Sequence, residues 1–307
     1  MIKGKALRSL LAAGLCGAGL YAQADIVIDG FTPATNDRFS NDGSFILDGV
    51  DLSGVGMSGI GRWGTLVSPN VFLSAFHFPP ALSSNMQFFQ TNDPNGPSEI
   101  RSVASGQRIG TSDVWVGVLD SPLPAGYTPM AFATDDITSN AEFMSSAYAI
   151  ATASLFGRSQ TTNTMYGGVT RDQAVGENIL DAWFDSVIIG GTTNDTVAAI
   201  YNLSGDGNYL PFETWLQSGD SGGPMVVVNG TTPTVVGVNW FIFEDFDINF
   251  GGGAPVLRNR TGFSYVGNYD VEIQQIIDAH IPEPGTLVLA GIGFVLLLRR
   301  RMRPARG

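Results

Sequence analysis

Ser221 sits in the string Gly219-Asp220-Ser221-Gly222-Gly223-Pro224, a glycine-rich turn in which the serine's own amide can face a reacting carbonyl. A hydroxyl is a weak nucleophile at its free pKa. It needs a base to take its proton, a group to orient that base, and N–H donors for the developing oxyanion. The base is nearly forced by counting. The chain has two histidines, and His280 falls at the end of the globular region, just before a Pro-rich junction, which leaves His77. That residue follows the apolar run Val71-Phe72-Leu73-Ser74-Ala75-Phe76, which reads as a buried strand leading into a turn at Pro79-Pro80.

Leu73-Ser74-Ala75-Phe76-His77-Phe78 resembles the leucine, small, alanine, small, histidine segment around the base of the trypsin-like (chymotrypsin-fold) serine proteases, with Phe76 bulkier than that pattern. Ser112-Asp113-Val114-Trp115-Val116-Gly117-Val118-Leu119, followed by Ser121-Pro122-Leu123, is similar to the family's asparagine/serine-aspartate-isoleucine segment and its trailing proline. The resemblance thus assigns the orienting carboxylate to Asp113, with Asp120 as its nearest rival. The order His77, Asp113, Ser221 is that of the worked template for this enzyme class. Val236-Gly237-Val238-Asn239-Trp240 resembles the strand lining the substrate cleft, and Gly262 to Val266 with Asn268-Tyr269 resembles the last strand before the closing helix. The likeness runs from about residue 61 to about 277 and is thinnest between 136 and 208, which holds no recognisable motif.

This resemblance implies an all-β fold of two six-stranded antiparallel β-barrels with a C-terminal helix, barrel 1 over about 25–135 and barrel 2 over about 136–281. His77 and Asp113 would come from the first and Ser221 from the second, with the amides of Gly219 and Ser221 as oxyanion hole. In relatives made as zymogens the residue at Asp220 pairs with a new N-terminal amine. Ile26-Val27-Ile28-Asp29-Gly30 resembles their start, although cleavage after Ala24 leaves Asp25 ahead of it. The implied substrate pocket is formed by Trp215, Asn239, Trp240 and Phe241. Trp215 stands where relatives that cut after Arg or Lys carry aspartate, and Glu213 replaces it only in a different loop register, so basic side chains are disfavoured. Phe241 stands where many relatives have glycine and narrows the pocket mouth, which points to small or medium apolar side chains.

The two ends read differently. Met1 to Ala24 carries Lys3, Lys5 and Arg8, then a mostly apolar stretch from Leu10 to Leu20, then Ala22-Gln23-Ala24, the pattern of a signal peptide (1–24) removed by signal peptidase. Leu15 before Cys16 argues against lipidation, and the mature chain then has no cysteine, so its stability must come from the core. At the other end Pro282-Glu283-Pro284 precedes the apolar run Thr286 to Leu298 and Arg299-Arg300-Arg301-Met302-Arg303. The run falls short of the roughly 20 residues of a comfortable membrane span. Together these features over 282–307 resemble the PEP-CTERM sorting signal of Gram-negative bacteria. That implies transient membrane insertion through a short hydrophobic helix, arginines inside, removal by an exosortase-like enzyme, and delivery to the cell envelope, outer surface or extracellular polysaccharide matrix. A permanent C-terminal anchor is the plainer alternative.

Between Asp25 and Ile281 the chain holds eight arginines, no lysine and 27 carboxylates, a formal charge of −19. Nucleic acid is excluded as a partner, since phosphate contacts need a basic face. Such acidity keeps an exported protein soluble. No cofactor or metal is expected; calcium at Glu244-Asp245-Phe246-Asp247 or the turn Asp206-Gly207-Asn208 is the sharper alternative, but neither has EF-hand spacing. Short apolar or alternating runs separated by Gly, Asn, Asp, Ser and Pro clusters argue for an all-β sandwich or barrel. Asn36 to Ser58 reads as a strand-and-loop elaboration, Ser139 to Ala153 as an ambiguous Ala/Ser-rich stretch, and Asp270 to Ala279 as a helix, the one that could close the second barrel. The expected activity is that of a secreted serine endopeptidase acting on protein or peptide substrates. Its rivals are an inactive homologue that binds at the surface or in the matrix, and an esterase. Gly219 to Gly223 also satisfies the G-x-S-x-G elbow of α/β-hydrolases, but that fold needs its histidine after the serine and long amphipathic helices between strands.

Overall fold

The computed structural model describes residues 25–161, 166–247 and 256–280. The expected signal peptide and the C-terminal apolar run fall outside these residues. Among the described residues no helix is long and apolar enough to cross a membrane.

The chain is mostly β. After β1 (Val27–Ile28) and a short helix α1 (Pro33–Asn36), whose N-cap Thr32 accepts the Thr35 N–H, six strands follow: β2 (Val55–Ser58), β3 (Trp63–Ser68), β4 (Val71–Ala75), β5 (Asn85–Phe89), β6 (Ser98–Arg108) and β7 (Val114–Leu119). They close into an antiparallel barrel in the order β2-β3-β4-β7-β6-β5. The expected elaboration between Asn36 and Ser58 therefore ends in a barrel strand, because Val55 to Ser58 pairs on both edges, with β3 and with β5. Phe72, Met86, Phe88, Val103 and Trp115 fill the barrel interior, and Arg38, fully buried, donates to Val55 O, Phe89 O and the Gln173 side chain.

The second half holds β8 (Ala131–Phe132), α2 (Asn140–Phe143), β9 (Thr152–Gly157), β10 (Ala174–Ile189), β11 (Thr192–Ile200), β12 (Thr214–Trp215), β13 (Pro224–Asn229), β14 (Thr232–Asp247) and β15 (Val256–Tyr265). Seven of them form one sheet, β13-β9-β10-β11-β15-β14-β8, in which β13 also pairs with β14. This half is thus a strongly curled sheet with β8 added in parallel at its edge; the closed barrel belongs to the first half. The strand β12 leaves the sheet to pair with β1. Ser139 to Ala153, ambiguous in sequence, is a single helical turn followed by turns and the start of β9. The helix α3 (Asp270–His280) buries Ile273, Ile276 and Ile277. It packs on β4 and β7 of the first half, and Asn70 donates to His280 O at 3.2 Å. It does not close the second half: three isoleucines on one face find their apolar partner on the barrel that carries His77. One apolar core runs from Ile26 through Val114 and Phe156 to Ile277, so the two halves meet over a shared buried surface.

Candidate active site

Strand β4 is buried along its whole length and delivers His77 two residues beyond its end. Asp113 directly precedes β7, the antiparallel neighbour of β4, with Ala75 opposite Val114. That register puts the carboxylate under the imidazole. Asp113 Oδ1 accepts the His77 main-chain N–H at 2.9 Å, and Oδ2 lies 2.6 Å from His77 Nδ1. Asp113 is fully buried while the His77 side chain is 38% exposed, so one edge of the ring is held and the other faces the cleft. There His77 Nε2 meets Ser221 Oγ at 2.9 Å. The rival Asp120 lies at the exposed far end of β7, where it accepts from Ser121. His280 closes the last turn of α3, its Nδ1 against Ile276 O.

Ser221 reaches His77 because its turn can press against β4. Gly222 has φ +87°, and a Cβ there would meet Ser74 Oγ at 2.8 Å and Ala75 N at 3.2 Å, so no other residue permits the approach without strain. Gly219 has φ +109°, which turns its amide; neither its N–H nor that of Ser221 donates to another described main-chain group. Ser74 is tied to Trp63 O, which stiffens the surface that receives the turn. Asn194 was not foreseen. Its Oδ1 accepts the Asp113 N–H at 3.0 Å and faces the Tyr269 hydroxyl at 3.3 Å, while its Nδ2 donates to Ser264 Oγ at 3.0 Å. A second-half residue thus holds the main chain of the first-half residue that carries the carboxylate.

Asp220 is the residue that the resemblance pairs with an N-terminal amine on a chain trimmed to Ile26. It is fully buried, and its two oxygens accept the main-chain N–H groups of Arg158 and Gln217, each at 2.7 Å. Ile26 packs close by across Gly157, but its N–H is a peptide amide that donates to Arg158 O at 2.9 Å. With Asp25 still ahead of it that nitrogen is uncharged; the pairing known from zymogen relatives concerns a chain that begins at Ile26. Desolvation pushes the Asp220 carboxyl up to about 8, against the N–H donors that favour its charged form.

A cavity of about 320 Å³ opens beside Ser221, lined by Leu216, Gln217, Ser218, Asn239, Trp240, Phe241 and Ile242. Asn239, Trp240 and Phe241 stand where expected. Phe241 lies across Gly262 and stacks on Phe243 at 5.2 Å, and Asn239 Nδ2 donates to Phe156 O and Asp220 O. Trp215 does not line this cavity. It pairs with Val27 in β12 and packs toward Tyr201; alternation along an extended chain sends Leu216 to the cavity and Trp215 the other way. Glu213 is also absent from the lining, buried under Asn202 and Leu210 N–H donors. No side chain lining the cavity carries a charge. Among the described residues no group of three or more His, Cys, Asp or Glu side chains is arranged for a metal ion, and Asp206 of the proposed calcium turn pairs with Arg258 at 3.1 Å.

No curated protein matches the chain. Residues 280–303 match the PEP-CTERM protein-sorting motif, which bears out the reading of Pro282, Glu283 and Pro284. Such a motif is processed by an exosortase and implies export to the cell envelope or extracellular surface of a Gram-negative bacterium.

Proposed function

We propose that this protein is an exported serine endopeptidase of trypsin-like type, with residues 25–281 as its catalytic domain and 1–24 as its signal peptide. The observation that carries the reading is one continuous chain of contacts across the two halves, Asp113 to His77 at 2.6 Å and His77 to Ser221 at 2.9 Å. The ring of six successive antiparallel pairings that β13, β9, β10, β11, β15 and β14 make supports a second barrel-like half. In this reading Ser221 Oγ attacks the scissile carbonyl as His77 Nε2 takes its proton. Asp113 holds the Nδ1–H tautomer and stabilises the imidazolium. The uncommitted amides of Gly219 and Ser221 receive the oxyanion. The protonated ring then hands its proton to the leaving amine, and water repeats the sequence on the acyl-enzyme. The uncharged cavity, crossed by Phe241, favours small or medium apolar side chains on the acyl side.

The test is a fluorophosphonate probe on the exported protein, read by intact mass and peptide mapping. Labelling at Ser221 that is lost in Ser221→Ala and His77→Ala is the expected result. A well-folded protein that resists the probe would be a zymogen or a binding protein built on this fold, and labelling of protein that starts at Ile26 separates the two.

A further inference from the structure

Arg62 stands in the β2–β3 turn, where its main chain is fixed by Ser58: Ser58 N–H donates to Arg62 O at 2.8 Å and Arg62 N–H to Ser58 Oγ at 3.0 Å. Its guanidinium carbon lies 3.0 Å from the centre of the Phe78 ring, and Phe78 is the neighbour of His77, their rings 6.3 Å apart. Arg62 is thus one ring removed from the imidazole. Among the described residues its guanidinium makes neither a hydrogen bond nor an ion pair, and Nη1 is buried with no partner. The other seven arginines between Asp25 and His280 are all engaged. Arg101, Arg158, Arg258 and Arg260 face carboxylates, and Arg38, Arg108 and Arg171 donate to carbonyl oxygens. In a chain with a large excess of carboxylates, one arginine, a single ring away from His77, is left without any. Arg62 is partly buried and that burial lowers its pKa, so a facing anion would relieve a desolvation already incurred.

The side of the cleft follows from the chemistry. The cavity of Leu216 to Ile242 takes the acyl-side side chain on the second half. The leaving amine must lie over His77, and Phe78 with Arg62 is the next surface beyond it on the first half. We infer that Arg62 recognises a carboxylate on the leaving-group side of the peptide, so that the enzyme favours bonds followed by an acidic residue; this rests on the peptidase reading above. A charge-assisted contact of this kind is worth on the order of tenfold or more.

Acyl transfer tests this on the full exported protein. The acyl-enzyme is formed from an apolar peptide p-nitrophenyl ester, and glutamic acid α-amide and glutamine α-amide compete for it as acceptor amines of equal shape and different charge. The expected result is an acid-over-neutral ratio on the order of ten in the wild type, falling with added salt, reduced in Arg62→Lys and near one in Arg62→Met. A wild-type ratio near one, or a ratio that survives in Arg62→Met, overturns the assignment. Should Arg62→Met fail to fold, a wild-type ratio insensitive to salt overturns it equally. The release of p-nitrophenol separates the two levels. No burst from the wild type removes the peptidase reading and this one with it, whereas a burst without acceptor preference removes only the role of Arg62.

Discussion

Asp113→Asn is the substitution whose consequence the geometry states most sharply. The Asp113 carboxylate serves two N–H groups of one residue, the main-chain N–H of His77 on Oδ1 and the ring Nδ1 on Oδ2. An asparagine has one acceptor oxygen and one NH2. With its oxygen kept on the main-chain N–H, the NH2 faces Nδ1, the ring must carry its proton on Nε2, and Nε2 can no longer accept from Ser221. Restoring the working tautomer sets Nδ1–H against the NH2 and leaves two donors unmet in a fully buried site. Each costs about 1–3 kcal/mol, so the barrier rises by about 2–6 kcal/mol, a loss of roughly thirty-fold to 10⁴-fold at about 1.4 kcal/mol per decade. The assay is kcat/KM on an apolar peptide ester, with melting curves to show that the variant folds. A folded Asp113→Asn enzyme within about threefold of the wild type would refute the argument that this carboxylate sets the tautomer.

Asn194→Ala should lower the melting temperature by about 4–15 °C, because it strands the buried Asp113 N–H and removes the Ser264 contact at about 2–4 kcal/mol in all. It should also slow probe labelling at Ser221; a normal labelling rate with a lowered melting point would make the tie purely structural. Phe241→Gly removes the ring that crosses Gly262 and should raise the preference for aromatic over alanine acyl-side residues by about tenfold. Matched ester substrates read this, and an unchanged ratio counts against Phe241 as the pocket's limit. Desolvation raises Glu213 to about 7 and Asp220 to about 8. Both values lie above those of an unfolded carboxyl, so the folded state keeps protons that the unfolded state releases. The stability they contribute is complete below about pH 4 and is lost as pH rises through 7 and 8, at up to about 1.4 kcal/mol per pH unit for each group. Melting temperature should fall from pH 5 to pH 9 and fall less in Glu213→Gln and Asp220→Asn; a rise over that window contradicts the assignment.

By itself the sequence determined what depends on neighbours along the chain. Gly219 to Pro224 names the candidate nucleophile, because a serine turn of that kind is built from six consecutive residues. Two histidines with one at the chain's edge name the candidate base, and the apolar run before His77 names its strand. Pro282-Glu283-Pro284, an apolar stretch and an arginine cluster name the sorting signal, since the signal is itself linear. The tertiary structure decided everything that hangs on which strands become neighbours. Asn194 reaches Asp113 from 81 residues away because the start of β11 lies against the turn that precedes β7, and nothing local marks that asparagine. Arg62 reads as one more polar turn residue until the hairpin lays it on Phe78. Trp215 seemed to belong to the pocket by counting back from Ser221, yet its pairing with Val27 turns it toward Tyr201. Helix α3 was legible from its isoleucines, but a helix face says only that it will be buried; the barrel beside β4 and β7 supplied the matching surface. Side-chain periodicity specifies which groups hide from water, and the closing of the sheets specifies what they meet.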